Sequence, residues 1–194
     1  MPNDDAFDLR LFHSLQHLES VDQRRARRCV EVVNTTECIV DGQRCLSFAT
    51  NDYLGLTRHP DVVAAFADTA ARQVGAGASS LIAGRSPHHV RLEAALAKFE
   101  STESAILFPS GFAANTGTLT SLIGSKDAVF CDRENHASLI DGCRASAGKF
   151  FAYDRTEFDR LAKSIERRRS DYDAVFIVTD TVFSMDGTLA DLPK

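Results

Sequence analysis

Tryptophan is absent from this 194-residue chain, methionine occurs twice and proline five times. Long apolar runs are missing too. The longest, Val62 to Ala67, falls far short of the roughly 18 residues that a membrane-spanning helix needs. There is no excess of basic residues: 22 lysines and arginines stand against 27 acids, for a net charge of −5. That balance argues against a general nucleic-acid binder, which needs a basic surface. The first residues, MPNDDAFDLR, lack the basic and then apolar pattern of a secretory signal. The expectation is therefore a cytoplasmic protein with no membrane and no nucleic-acid partner. Five cysteines, Cys29, Cys38, Cys45, Cys131 and Cys143, include no CxxC pair. An odd count without that spacing excludes a disulfide framework and a zinc site, and predicts reduced thiols packed mostly like small apolar residues. No GxxxxGK[ST] loop and no GxSxG elbow is present. Gly75-Ala76-Gly77-Ala78-Ser79-Ser80 lacks the third glycine of a dinucleotide fingerprint and follows a helical pattern rather than a strand. Asp132, His136 and Asp141 have no further residue to complete a metal set, so no metal is expected.

What is present fits a globular domain, with 44% hydrophobic and 25% charged residues. A chain of this size can bury roughly 70% of its extended surface. Phe7, Leu11, Leu15 and Leu18 form a helical stripe over residues 5–28. Arg24, Arg25, Arg27 and Arg28 stand at its end, either complementing the helix C-terminus or forming an anion site. Residues 37–40 and 44–48 flank Asp41-Gly42, a hairpin signal. Pro60 opens a helix expected to run to about Val74 and stop at Gly75. From Ser86 onward the pattern alternates. Helices are expected over 87–99, 113–123, 137–147 and 155–169, and strands over 105–108, 128–131, 149–152 and 173–179. Such alternation predicts an α/β fold with a mostly parallel sheet, and ligands in such sheets bind at the carboxyl ends of the strands.

Three turns lie at those ends. Phe108-Pro109-Ser110-Gly111-Phe112 leads into a helix, where free N–H groups and the helix dipole favour a phosphate; an ordinary strand-to-helix turn is the alternative. His136, in Asp132-Arg133-Glu134-Asn135-His136, can stack on a flat ligand, move a proton, or merely cap the next helix. The third turn runs from Thr179 through Ser184 to Gly187 and offers polar groups directly after an apolar strand, or a loop closed by Asp186-Gly187.

Taken in order, NDYLGL from Asn51, GAGASSLIAG from Gly75, His89 with Leu92-Glu93, FPSGFAANTG from Phe108, DRENHASLIDG from Asp132 and TDTVFSMDG from Thr179 resemble the α-oxoamine synthases. These are pyridoxal 5'-phosphate enzymes of fold type I, related to the class-II aminotransferases. The resemblance implies the large domain of that fold, with residues 1–50 as an N-terminal helix and hairpin arm and 51–194 as the first part of the cofactor-binding domain. It implies decarboxylative condensation of an amino acid with an acyl thioester. The nearest likeness is to the branch that joins L-alanine to pimeloyl-CoA or a pimeloyl-carrier protein in biotin synthesis. Sister condensing enzymes using glycine or serine, a glycine C-acetyltransferase, and a non-catalytic chain that pairs with a full-length subunit are the alternatives, with a generic nucleotide-binding module behind them. By the same resemblance Gly111, Phe112, His136 and Ser184 contact the cofactor, His136 by stacking on its ring. Arg25, Asn51 and His136 border the substrate, and the complete enzyme is a homodimer. Two departures stand out. Ser79-Ser80 replaces the family's Ser-Arg, and none of Lys98, Lys126, Lys149, Lys163 or Lys194 matches the family's Schiff-base lysine. The resemblance therefore implies an N-terminal half that does not catalyse alone.

Overall fold

The structure, a computed structural model, describes residues 4–192, so Lys194 and the first three residues lie outside the described residues. The chain divides into two compact units, one up to Ala76 and one from Gly77.

In the first unit, α1 (Asp4–Ser20) carries the predicted stripe but ends well before residue 28. Asp22 takes a left-handed φ of 54°. Gln23 N then donates to Leu18 O at 2.8 Å and Asp22 N to Glu19 O at 3.2 Å, which closes the helix with its last carbonyls satisfied. The arginines therefore follow the helix and do not lie within it. Arg24 pairs with Glu19 at 3.1 Å and Arg28 with Asp41 at 3.8 Å. Strands β1 (Val30–Val32), β2 (Glu37–Val40) and β3 (Gln43–Leu46) form an antiparallel sheet in that order. Asp41 and Gly42 both take positive φ, 51° and 81°, as a tight two-residue hairpin turn requires. Arg44 reaches across to Glu37 at 2.8 Å, and with Asn34 it holds the Glu37 carboxyl below the usual glutamate range. Helix α2 (Pro60–Ala70) begins with Pro60 in its first turn and His59 capping Asp61 N. It stops four residues before Val74, and Gly75, with φ of 77°, lies in the loop beyond.

In the second unit, one π-helical turn (Ser80–Gly84) precedes α3 (Pro87–Phe99), whose start is closed by reciprocal bonds between Ser86 and His89. Ala97 is the buried residue of α3, while Leu92, Leu96 and Phe99 remain exposed among the described residues. Residues 105–108 form no strand. A strand exists through its ladder, and this apolar segment has no pairing partner among the described residues. Then come α4 (Gly111–Leu122), β4 (Ala128–Asp132), α5 (Ala137–Ala145), β5 (Lys149–Tyr153), α6 (Phe158–Arg168) and β6 (Val175–Val178). The strands pair in the order β5-β4-β6, all parallel, with Ala128 opposite both Lys149 and Val175. Central β4 is buried along its whole length, as a parallel strand covered on both faces must be. Its Val129 and Cys131 pack with Ile123 and Cys143 from the α4–α5 side. Ala128 and Phe130 pack with Tyr153 and Leu161 on the α6 side. A short hairpin, β7 (Val182–Phe183) and β8 (Thr188–Leu189), follows and was not legible in the sequence pattern. The expected α/β fold with a parallel sheet is present.

Candidate cofactor site at the carboxyl edge of the sheet

Helix α4 runs back against the direction of β4, so its N-terminus lies at the carboxyl end of the sheet. Ser110 caps it, with backbone angles of −160° and 159° and an Oγ that accepts from Ala113 N at 3.1 Å. The N–H groups of Gly111 and Phe112 have no acceptor among the described residues. A Cβ built on Gly111 would meet nothing within 4 Å. The helix start thus faces open space with two free donors and the positive end of its dipole, which suits a phosphate.

His136 begins α5 at the same edge. Its Nδ1 accepts from Ser138 N at 3.2 Å, so it does cap the helix, as one sequence reading allowed. Ser138 Oγ lies 2.7 Å from the same nitrogen. Asn115, in the first turns of α4, donates from Nδ2 to that Oγ at 2.9 Å. The histidine backbone is held from the other side, its N–H donating to Asp180 Oδ2 at 2.6 Å. Asn135, 6% exposed, ties the ends of β4 and β6 together. Its Nδ2 donates to Val178 O at 2.8 Å, and its Oδ1 accepts from Asp180 N at 2.7 Å. The ring of His136 itself remains exposed. A ring held at Nδ1 on a backbone itself held by Asp180 can lie against a flat ligand without reorganising.

Below the turn, Asp132 is 1% exposed, with Oδ1 accepting from Glu134 N and Oδ2 unpartnered. The neighbouring Cys143 thiol and the Asn135 amide lower the pKa of the Cys131 thiol to about 7, while the Cys131 thiol and burial push that of Cys143 upward. Cys38, Cys131 and Cys143 are buried as expected of packed thiols, whereas Cys29 and Cys45 are exposed. Ser184 lies exposed in the turn between β7 and β8. That hairpin is anchored by Phe183, 4% exposed, beneath the Arg155 guanidinium at 3.8 Å, and by Arg155 paired to Asp186 at 3.2 Å.

Gly111, Phe112, His136 and Ser184 are therefore in the second unit, the first three on helix starts joined by the Asn115–Ser138 bond. Arg25 and Asn51 are in the first unit. Arg25 is exposed beyond α1, and Asn51 is exposed and accepts from Tyr53 Oη at 3.2 Å. Sequence reasoning missed the holding roles of Asn115, Asn135, Ser138 and Asp180. The available signal was small polar residues in the first turns that follow β4 and β6.

A parallel sheet between helix layers, with two helix starts at its carboxyl edge, is the arrangement of the large-domain core of fold type I transferases. The chain belongs to the aminotransferase class I and II family, whose model matches residues 43–194. It is similar to 8-amino-7-oxononanoate synthase of Pseudomonas putida, 44% identical over 189 residues, which are 97% of this chain and 47% of that protein. The protein of the same name from Stutzerimonas stutzeri is 46% identical over 170 residues, covering 87% of this chain and 43% of its own length. Among solved structures, a serine palmitoyltransferase from Sphingomonas wittichii superposes with a TM-score of 0.82 at 28% identity, covering 93% of this chain and 46% of that one. An 8-amino-7-oxononanoate synthase from Francisella tularensis superposes with a TM-score of 0.58 at 30% identity, over 74% and 39%. The chain spans about half the length of the curated relatives it matches.

Proposed function

We propose that this chain supplies part of a pyridoxal 5'-phosphate enzyme that condenses L-alanine with a pimeloyl thioester to give 8-amino-7-oxononanoate. In the reaction a bond forms between the alanine Cα and the acyl carbon. The C–S bond breaks to release the thiol, and the alanine carboxylate leaves as carbon dioxide. The observation that carries this reading is the 43–46% identity, over as much as 97% of the chain, to proteins bearing that name. Pyridoxal phosphate, when bound, supplies the electron sink that makes Cα of an amino acid reactive.

The residues present suit that group. The free N–H groups of Gly111 and Phe112 would take its phosphate, with the open space before Gly111 admitting it. His136 would lie against its ring and keep water from that face. Ser184 would offer a hydroxyl. Arg25 would take the anionic end of a substrate, and Asn51 and His136 would also be substrate-binding residues. Residues 1–50 would form an arm and 51–194 the first part of the cofactor-binding domain. The acyl donor is carried on coenzyme A or a carrier protein, and the working enzyme is a cytoplasmic homodimer. No helix among the described residues is long and apolar enough to cross a membrane.

A second reading, a sister enzyme that condenses serine with a long acyl chain, is favoured by one observation, the TM-score of 0.82 to a serine palmitoyltransferase. The lower identity of that neighbour, 28%, weighs against it. The test is a screen of the full-length protein with L-alanine, glycine and L-serine against pimeloyl, acetyl and palmitoyl thioesters, read by product mass. The highest kcat/KM is expected for L-alanine with the pimeloyl donor. Selective turnover of serine with a palmitoyl donor would overturn the proposal in favour of the second reading.

A further inference from the structure

Helices α4 and α5 approach each other unusually closely at Gly142. A Cβ there would stand 3.2 Å from Thr116 Cα, 3.3 Å from Asn115 O and 2.9 Å from Leu119 Cδ1. Gly142 is buried, and the closeness it permits brings Asn115 of one helix within 2.9 Å of Ser138 of the other. Ser138 is 0% exposed, so its hydroxyl has no water to turn to. Its Oγ accepts from Asn115 Nδ2, which directs the single hydroxyl proton toward the remaining neighbour, His136 Nδ1 at 2.7 Å. Ser138 N also donates to that nitrogen, at 3.2 Å.

Nδ1 has one lone pair, and two donors point at it. A neutral imidazole in that setting carries its proton on Nε2. Nε2 has no hydrogen-bond partner among the described residues, and the ring is exposed, so the proton is presented outward. We infer that Asn115 and Ser138 are positioning residues that fix both the ring angle and the tautomer of His136, so that the histidine offers an N–H and not a lone pair to whatever lies in front of it. The same contact sets the distance between the two halves of the site. Asn115 belongs to the helix whose start carries Gly111 and Phe112, so the anion cradle and the ring cannot shift independently.

The value of this arrangement to catalysis rests on the proposed cofactor site. The tautomer does not, and its test needs no cofactor. The full chain, labelled with 15N-histidine and free of pyridoxal phosphate, is measured by NMR at neutral pH, with His136→Gln used for assignment. The expected spectrum has an unprotonated Nδ1 and a protonated Nε2. The opposite tautomer in the wild-type chain overturns the inference without any further variant. Asn115→Asp then replaces the donor with an acceptor of the same shape. It should turn the Ser138 hydroxyl away from the ring and move the Nδ1 resonance toward that of a nitrogen with one donor fewer. In a Ser138→Ala background the same substitution should leave Nδ1 unmoved, because the hydroxyl that transmits it is gone. An unchanged Nδ1 in the single variant, or an equal shift in both backgrounds, contradicts the assigned role. Failure of the turnover screen with the expected tautomer intact would count against the proposed function alone.

Discussion

Asn135 shows how much a single amide can carry. It is nearly buried, and it satisfies one carbonyl and one N–H at the end of β6 while leaning on Cys131. Asn135→Ala leaves the half-buried Val178 O and Asp180 N without that partner, at about 0.5–1.5 kcal/mol for each hydrogen bond lost. The loss is expected in urea unfolding of the full-length protein. It is also expected in faster amide exchange at Asp180 and His136, since Asp180 in turn holds the histidine N–H. Gly142→Ala tests the helix contact. A methyl group 3.2 Å from Thr116 Cα must push α5 off α4, at about 1–3 kcal/mol. The same displacement should lengthen the Asn115–Ser138 bond, and a stability unchanged from wild type would show that the helices have slack. His136 and Gly111 were legible in the sequence because a turn after a parallel strand is where ligands bind. Asn115, Ser138 and Asp180 were not, because their partners lie 23 and 44 residues away and only the packed helices and strands bring them near.

Elements differed in legibility for reasons visible in each. β4 announced itself as an apolar run because both its faces are covered. The Asp41-Gly42 hairpin did so because two positive φ angles demand those residues. Residues 105–108 look equally apolar but form no strand, since pairing depends on a neighbour and not on composition. The end of α1 was misplaced because the arginine run suggested a helix terminus, whereas the backbone reversal at Asp22 had already closed it. Two predictions belong to this scale. Ser110→Ala removes the cap of α4 and should cost about 1 kcal/mol, with fraying at the helix start that carries the free Gly111 and Phe112 N–H groups. The Glu37–Arg44 pair gives the first-unit hairpin a pH dependence. The Glu37 carboxyl is held below its ordinary value, so its support is fully present above that value and is lost as pH falls through the lowered one. Amide exchange at Ser47, whose N–H donates to Thr36 O, should therefore speed up on the acid side. In Glu37→Gln that acid-side change should disappear, and an identical pH profile in both proteins would remove the pair from the account.

At the scale of the whole molecule, the two units contribute different parts of the proposed chemistry. The second unit holds a sheet edge where two helix starts are locked together, one offering N–H donors and the other a fixed imidazole. The first unit carries Arg25 and Asn51, the residues proposed to meet the substrate. The identity to 8-amino-7-oxononanoate synthases extends across both. The central claim is that pyridoxal phosphate is held by its phosphate on the start of α4 with its ring against His136. The most direct measurement is a titration of the 15N-labelled full chain with pyridoxal 5'-phosphate, followed by amide and histidine ring resonances. The account predicts that Gly111 and Phe112 N–H move furthest, that the His136 ring shifts with the same midpoint, and that inorganic phosphate moves the two amides but not the ring. Saturable binding that leaves Gly111 and Phe112 unmoved, with shifts confined to the glycine-rich segment from Gly75 to Ser80, would contradict it.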